Sequence, residues 1–150
     1  MKIRHKAVPA VYLILERGGK ILVARRCNTG YQDGNYQVPA GHVEENELPM
    51  EALMREAKEE IGIALSLEDL EFVHVSCRPK HDETGDRIDF FFRAKTWKGE
   101  VRNMEPNKCD DLKWVLPREL PANMTLHVRK AIEAMMKGVF FEEIKIEALR

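Results

Sequence analysis

The sequence predicts an α/β sandwich built on mixed β-structure. Short apolar, β-prone runs recur through residues 7–43 and again through residues 71–116. Two segments with helical periodicity stand well apart, at 49–61 and 124–137, and clusters of turn-forming residues punctuate the chain between them. Strands surrounding two separated helices bury their apolar faces most simply as helices packed on sheet.

Each element has a local reason. Ala7–Leu15 and Lys20–Ala24 are apolar runs around Glu16-Arg17-Gly18-Gly19, the pattern of a β-hairpin. Residues 28–36 (NTGYQDGNY) are turn formers and predict a loop. Gln37–Val43 contains Pro39 and Gly41, so it supports only a short, interrupted strand. The clearest helix starts at Pro49, a good first-turn residue, and stops before Gly62. Glu71–Cys77 and Arg87–Lys95 predict strands joined by the charged loop RPKHDETGD, and Leu112–Leu116 a further short strand. Met124–Lys137 has helical period and meets Gly138. The apolar spacing of Val139–Arg150 suits a strand or a helix equally.

The 150 residues predict one domain spanning 1–150. With 44% hydrophobic and 33% charged residues the chain reads as globular, and a net charge of −1 offers no field for a nucleic acid polymer or an anionic membrane. Cys27, Cys77 and Cys109 are odd in number and widely spaced, which excludes a disulfide framework or a zinc site of the usual spacing. No signal-peptide pattern or membrane-length apolar run is present, so a cytoplasmic protein is expected.

The informative segment is Pro39–Ile63, PAGHVEENELPMEALMREAKEEIGI. At about 100° per residue, Glu56, Glu59 and Glu60 fall at about 0°, 300° and 40° around a helix, on one face. Met50, Leu53, Met54, Ala57 and Ile61 form the apolar side. Carboxylates at i, i+3 and i+4 repel one another, so a helix keeping all three needs compensating cations. Arg55 and Lys58 supply part of that, and hard divalent cations would supply more. Read alone, E-x-x-E-E is a solvated acidic face. Its setting argues otherwise: Gly41 lies in a Pro-Ala-Gly turn where a missing side chain admits close approach, and Glu47 is placed to pair with Arg55.

Gly41, Glu47 and the run Arg55-Glu56-Ala57-Lys58-Glu59-Glu60-Ile61-Gly62-Ile63 resemble the Nudix box position for position over 23 residues. Three positions are less typical. Asn46 stands where glycine is frequent, Leu48 replaces a Ser or Thr cap, and Ala57 is smaller than the commonest aliphatic. None removes a charged group. The resemblance implies a Nudix-type α/β/α sandwich with a mixed sheet and a catalytic loop-helix-loop, acting on a nucleoside diphosphate linked to a further group. It further implies Mg²⁺, with Mn²⁺ as substitute, held by Glu56, Glu59 and Glu60 and a backbone carbonyl near Ala40 or Gly41. Arg55 and Glu47 would orient the site.

An acid from outside the box is also expected. The stretch TWKGEVRNMEPNKCDDLKW is similar to that of MutT-like members, where the acid follows W-x-G-E by five residues, which selects Glu105. Whether Glu56 or Glu105 takes the proton from water stays open. Arg26, Arg87 and Asn123 resemble positions that contact phosphate and purine, although Asn123 also reads as a helix cap or turn residue. Tyr31 and Tyr36 are candidate base stackers, and Phe90, Phe91 and Phe92 read as core.

The expected activity is MutT-like pyrophosphohydrolysis of a nucleoside triphosphate, oxidised purine nucleotides included, by a monomer or homodimer acting on small molecules. ADP-ribose or a nucleoside diphosphate sugar is the alternative substrate, since Pro79 lies sixteen residues beyond the box, where members acting on ADP-ribose often carry proline. A non-catalytic nucleotide sensor is the alternative of another class.

Overall fold

The structure, a computed structural model, describes residues 1–79 and 85–145. Strands β1 (Ala7–Arg17) and β2 (Lys20–Arg26) form the expected hairpin. Its turn is Gly18-Gly19, both at positive φ (59° and 78°), which suits a tight turn matching the strand twist. The predicted strand 37–43 is two pieces, β3 (Tyr36–Gln37) and β4 (Ala40–His42), broken at Val38-Pro39. Helix α1 (Pro49–Ile61) follows, then a 3₁₀ turn at Leu67–Asp69, β5 (Glu71–Arg78), β6 (Asp86–Ala94), β7 (Cys109–Val115), α2 (Leu126–Met136) and β8 (Phe141–Glu143).

The sheet is mixed. β1 runs parallel to β6 from Ala7 opposite Asp86 through Leu15 opposite Ala94, and antiparallel to β4 on its other side. β5 is antiparallel to β6 and parallel to β8. β2 pairs with β1 only beside the turn, then parts from it to pair with β3 and β7.

β1 explains the layers, because both its faces are buried and its sequence is therefore a continuous apolar run. Ala10, Tyr12 and Ile14 join Val128, Ala131 and Ile132 of α2 in one core. Val11, Leu13 and Leu15 join Ala52, Leu53, Ala57 and Ile61 of α1 in the other. Phe91 belongs to the first core and Phe92 to the second, with partly buried Phe90 packed against the second. The result is an α/β/α sandwich.

Helix α1 lacks a side-chain cap, since Leu48 occupies that position, and the Glu51 carboxylate instead accepts from the Leu48 N–H at 3.2 Å. The missing cap costs about 1 kcal/mol. Full burial of Leu53 and Ile61 alone contributes roughly 1.5–3 kcal/mol each, so packing decides that the helix forms here. Gly62 at φ 73° closes it in the left-handed region, as expected.

Several boundaries differ from expectation. β7 starts three residues early because Cys109 and Asp111, in a stretch too polar to read as strand, pair with Arg26 and Arg25 of β2, with Asp110 at the irregularity between them. α2 starts two residues late because Met124 bridges to Tyr36 instead of winding. Val139–Arg150 resolves in favour of a strand at Phe141–Glu143, and its last residues, 146–150, lie outside the described residues, as do 80–84 of the charged loop.

Candidate active site

The turn into α1 and the first helical turns place the acidic residues. Asn46 takes φ 64°, the left-handed conformation its box position requires. That turn brings Glu47 onto Arg55, whose Nε donates to Oε2 at 2.7 Å and Nη2 to Oε1 at 3.0 Å. The same guanidinium donates from Nη1 to Glu56 at 2.8 Å and Glu59 at 3.3 Å, and from Nη2 to the His42 carbonyl at 3.2 Å. One cation thus organises three carboxylates and the strand before them. Hydrogen bonding to Arg55 first, then to the Glu44 N–H, holds the Glu47 carboxyl at about 2.

Glu56 and Glu60 stand together deeper in. Burial, and next the Glu56 carboxylate, push Glu60 well above the ordinary carboxylate range. The Ala40 N–H donates to Glu60 at 3.4 Å. Gly41 lies directly against Glu56: a Cβ there would come within 2.1 Å of the Glu56 carboxyl carbon. Two facing carboxylates, backed by the chain at Ala40–Gly41, form an all-oxygen donor set that fits a hard divalent cation. Glu59 is more open and turned to Arg55. Among the described residues, no three Asp, Glu, His or Cys side chains form a metal-holding group as they stand.

These residues line a cleft of about 360 Å³ that also contains Glu105, Lys108, Arg25 and Arg26. Glu105 comes from the loop before β7 and pairs with Lys108 at 3.6 Å. Arg26 is fixed by donating from Nε to the Tyr31 carbonyl at 2.7 Å and from Nη2 to Thr29 Oγ1 at 3.0 Å. Acids and bases therefore line the same cleft, as a bound polyanion with a cation would need.

A second cavity of about 410 Å³ adjoins it, lined among others by Tyr12, Tyr31, His42, Arg78, Arg87 and His127. Beneath it Arg78 and Asp89 form a buried ion pair, Nε to Oδ2 at 2.5 Å and Nη2 to Oδ1 at 3.2 Å. The Tyr12 hydroxyl donates to Asp89 at 3.0 Å and lies 3.1 Å from His127 Nε2.

The structure thus gathers Arg55, Glu56, Glu59, Glu60, Glu105 and Arg26 around one cleft, with Glu47 held on Arg55, and places Gly41 and Arg87 in the neighbouring cavity. Asn123 lies elsewhere: its amide donates to the Gly34 carbonyl at 2.8 Å and lines neither cavity. Tyr31 lines the second cavity, whereas Tyr36 is buried in the core. Arg78, Lys108 and His127 carried no local motif. Arg78 ends β5 on the face it shares with His74 and Ser76, so no apolar stripe marked it.

Comparisons with known proteins agree with this geometry. The NUDIX domain family matches residues 4–135. The chain is 37% identical over 98 residues to an ADP-ribose pyrophosphatase of Methanocaldococcus jannaschii, covering 65% of this chain and 56% of that protein. It is 31% identical over 93 residues to an 8-oxo-dGTP diphosphatase of Proteus vulgaris, covering 61% and 79%. Against NAD-capped RNA hydrolase NudC of Pseudomonas putida it is 29% identical over 113 residues, which are 75% of this chain, and it spans only 38% of that protein's length. Among solved structures, a MutT NUDIX hydrolase from Burkholderia pseudomallei superposes with a TM-score of 0.77 at 26% identity, covering 86% of this chain and 98% of that one. With the box residues assembled on one helix and the family matched across nearly the whole chain, the chain belongs to the NUDIX domain family.

Proposed function

We propose that this chain, acting as one domain, hydrolyses a phosphoanhydride bond in a nucleoside diphosphate-linked substrate, with Mg²⁺, or Mn²⁺ in its place, as cofactor. The family's hydrolases are divalent-metal dependent. The observation that carries the reading is the facing, partly buried Glu56–Glu60 pair, with Glu56 against Gly41, in a cleft also lined by Arg25, Arg26 and Lys108.

Glu56 and Glu60 hold the cation, joined by Glu59 and by a backbone carbonyl near Ala40 or Gly41. When bound, it neutralises the diphosphate and activates water. Arg55 and Glu47 fix the direction of Glu56 and shape the turn. Arg26 and Lys108 draw the phosphates into the cleft. Glu56 and Glu105 both open on the cleft, and one of them takes the proton from the attacking water. The remainder of the substrate occupies the second cavity beside Arg87.

A MutT-like reaction, nucleoside triphosphate to monophosphate and pyrophosphate, is supported by the Burkholderia structure and the Proteus relative. A second reading, ADP-ribose or a nucleoside diphosphate sugar, is supported by the Methanocaldococcus relative and by Pro79 just beyond β5. The small cleft suits a free nucleotide in a reducing compartment, where the three cysteines stay free thiols. A panel of normal and oxidised purine triphosphates, ADP-ribose, sugar nucleotides and dinucleoside polyphosphates, resolved by chromatography, tests this. Monophosphate plus pyrophosphate supports the first reading, and turnover confined to ADP-ribose supports the second. Nucleotide binding without any turnover would replace both with a sensor.

A further inference from the structure

Glu105 lies on the connection from β6 to β7, away from the helix that carries the other acids of the cleft. The W-x-G-E spacing selects it but does not say what holds it there. Two anchors do.

The first ties the connection to α1. The Arg102 N–H donates to the Ile61 carbonyl at 2.9 Å and the Met104 N–H to the Glu60 carbonyl at 3.0 Å. Both acceptors belong to the last turn of α1, whose carbonyls find no partner within the helix. Met104 also lies against Gly62, where a Cβ would meet its sulfur at 3.2 Å. The chain before Glu105 is thereby fixed to the end of the helix that bears Glu59 and Glu60.

The second anchor is the Asn103 side chain. Its Oδ1 accepts from the Glu105 N–H at 3.1 Å, and its Nδ2 donates to the Cys109 carbonyl at 2.8 Å. One amide thus joins the start of the loop to the residue that opens β7. Inside that clasp the Lys108 and Cys109 N–H groups both donate to the Glu105 carbonyl, at 2.9 Å each. The Glu105 backbone is therefore bonded on both sides, and only its side-chain torsions remain to aim the carboxylate. Asn103 and Glu105 line the cleft together with Glu56 and Glu60. After burial and Glu56, the Glu105 charge is a further cause of the raised Glu60, so this carboxylate stands within electrostatic reach of the pair. Such fixing matters, because a displacement of about 1 Å at a reacting group can cost about a hundredfold in rate.

We propose that Asn103 is a positioning residue, whose amide clamps the loop 103–109 so that the Glu105 carboxylate is held in the cleft beside Glu56 and Glu60. This rests on the proposed hydrolase reading and adds to it a residue that acts through Glu105.

Turnover by the wild type, Asn103→Ala, Asn103→Ser and Glu105→Gln tests it first. Asn103→Ala should lower kcat by about 10- to 100-fold with KM within about twofold. Asn103→Ser, whose hydroxyl can still accept the Glu105 N–H in a turn of the same kind, should recover part of that loss. In a Glu105→Gln background, Asn103→Ala should cost no more than about twofold further, because the group it aims is already gone. Wild-type kcat in Asn103→Ala, or an equal loss in both backgrounds, overturns the assignment. A second readout needs no turnover. Mn²⁺ added to protein carrying isotope-labelled glutamate should broaden the carboxyl resonance of Glu105 along with those of Glu56 and Glu60. Asn103→Ala should weaken the broadening severalfold at Glu105 alone. Broadening at Glu105 that is absent from the wild type, or unchanged in Asn103→Ala, overturns the assignment. A wild type that turns over no nucleotide overturns the hydrolase reading instead, and the Glu105 resonance then decides the role of Asn103 by itself.

Discussion

Arg55 holds Glu47 through two hydrogen bonds, 2.7 and 3.0 Å, across the turn that leads into α1, while its remaining nitrogen reaches Glu56 at 2.8 Å. The ion pair therefore does two things with one side chain: it closes the turn and it aims a carboxylate.

Arg55→Lys should separate those effects. Lysine keeps the charge but cannot reproduce the planar fork. Turnover should fall by about 10- to 100-fold, the usual scale for losing an orienting partner of a metal ligand, while the fold stays intact by circular dichroism. Wild-type kcat in this variant would remove Arg55 from the account.

The same pair sets an acid limit. The folded-state pKa of Glu47, about 2, lies below its ordinary value of 4.5, so its stabilising effect is fully present above about pH 4.5 and is lost as pH falls toward 2. In urea titrations Glu47→Gln should be less stable than the wild type at pH 7, and the gap should close between about pH 5 and pH 2. A gap that holds constant with pH would contradict the pairing.

Gly41→Ala should damage the site more than the fold. The added methyl meets the end of the flexible Glu56 side chain, which can swing aside but then no longer faces Glu60. Thermal stability without metal should stay near wild type, while affinity for Mn²⁺, followed by electron paramagnetic resonance, should fall at least tenfold.

The Arg78–Asp89 pair has side chains 4% and 0% exposed. Asp89→Asn strands a buried guanidinium and should cost about 3–5 kcal/mol in denaturant unfolding. Adding Arg78→Met should recover much of that loss, and a double variant no better than the single would refute burial of an uncompensated charge as the cause. Conversely, Leu48→Ser supplies the missing cap of α1 and removes a 68% exposed leucine, so it should add about 1 kcal/mol in the same assay.

How far the chain could be read depended on whether the signal was local. Helix α1 was legible because Pro49, the apolar spacing and Gly62 all lie within one window, and the Arg55–Glu47 contact because the two residues are eight apart. The strand broken at Pro39 and the start of β7 were blurred because proline and paired aspartates outweigh the edge pairing that overrides them. The Arg78–Asp89 pair depends on the register of β5 against β6, which apolar patterning does not encode. Asn123 reads equally as a purine contact and as a cap or turn residue; its amide donates to the Gly34 carbonyl, a partner 89 residues away that no local pattern encodes.

The most direct test of the central claim is Mg²⁺-dependent turnover of the best substrate by Glu60→Gln beside the wild type. Glutamine keeps the shape of the buried side chain and removes its charge, so the fold should persist while cation-assisted stabilisation worth several kcal/mol is lost. The account predicts a fall in kcat/KM of about a thousandfold or more. Turnover within a few fold of wild type would contradict it.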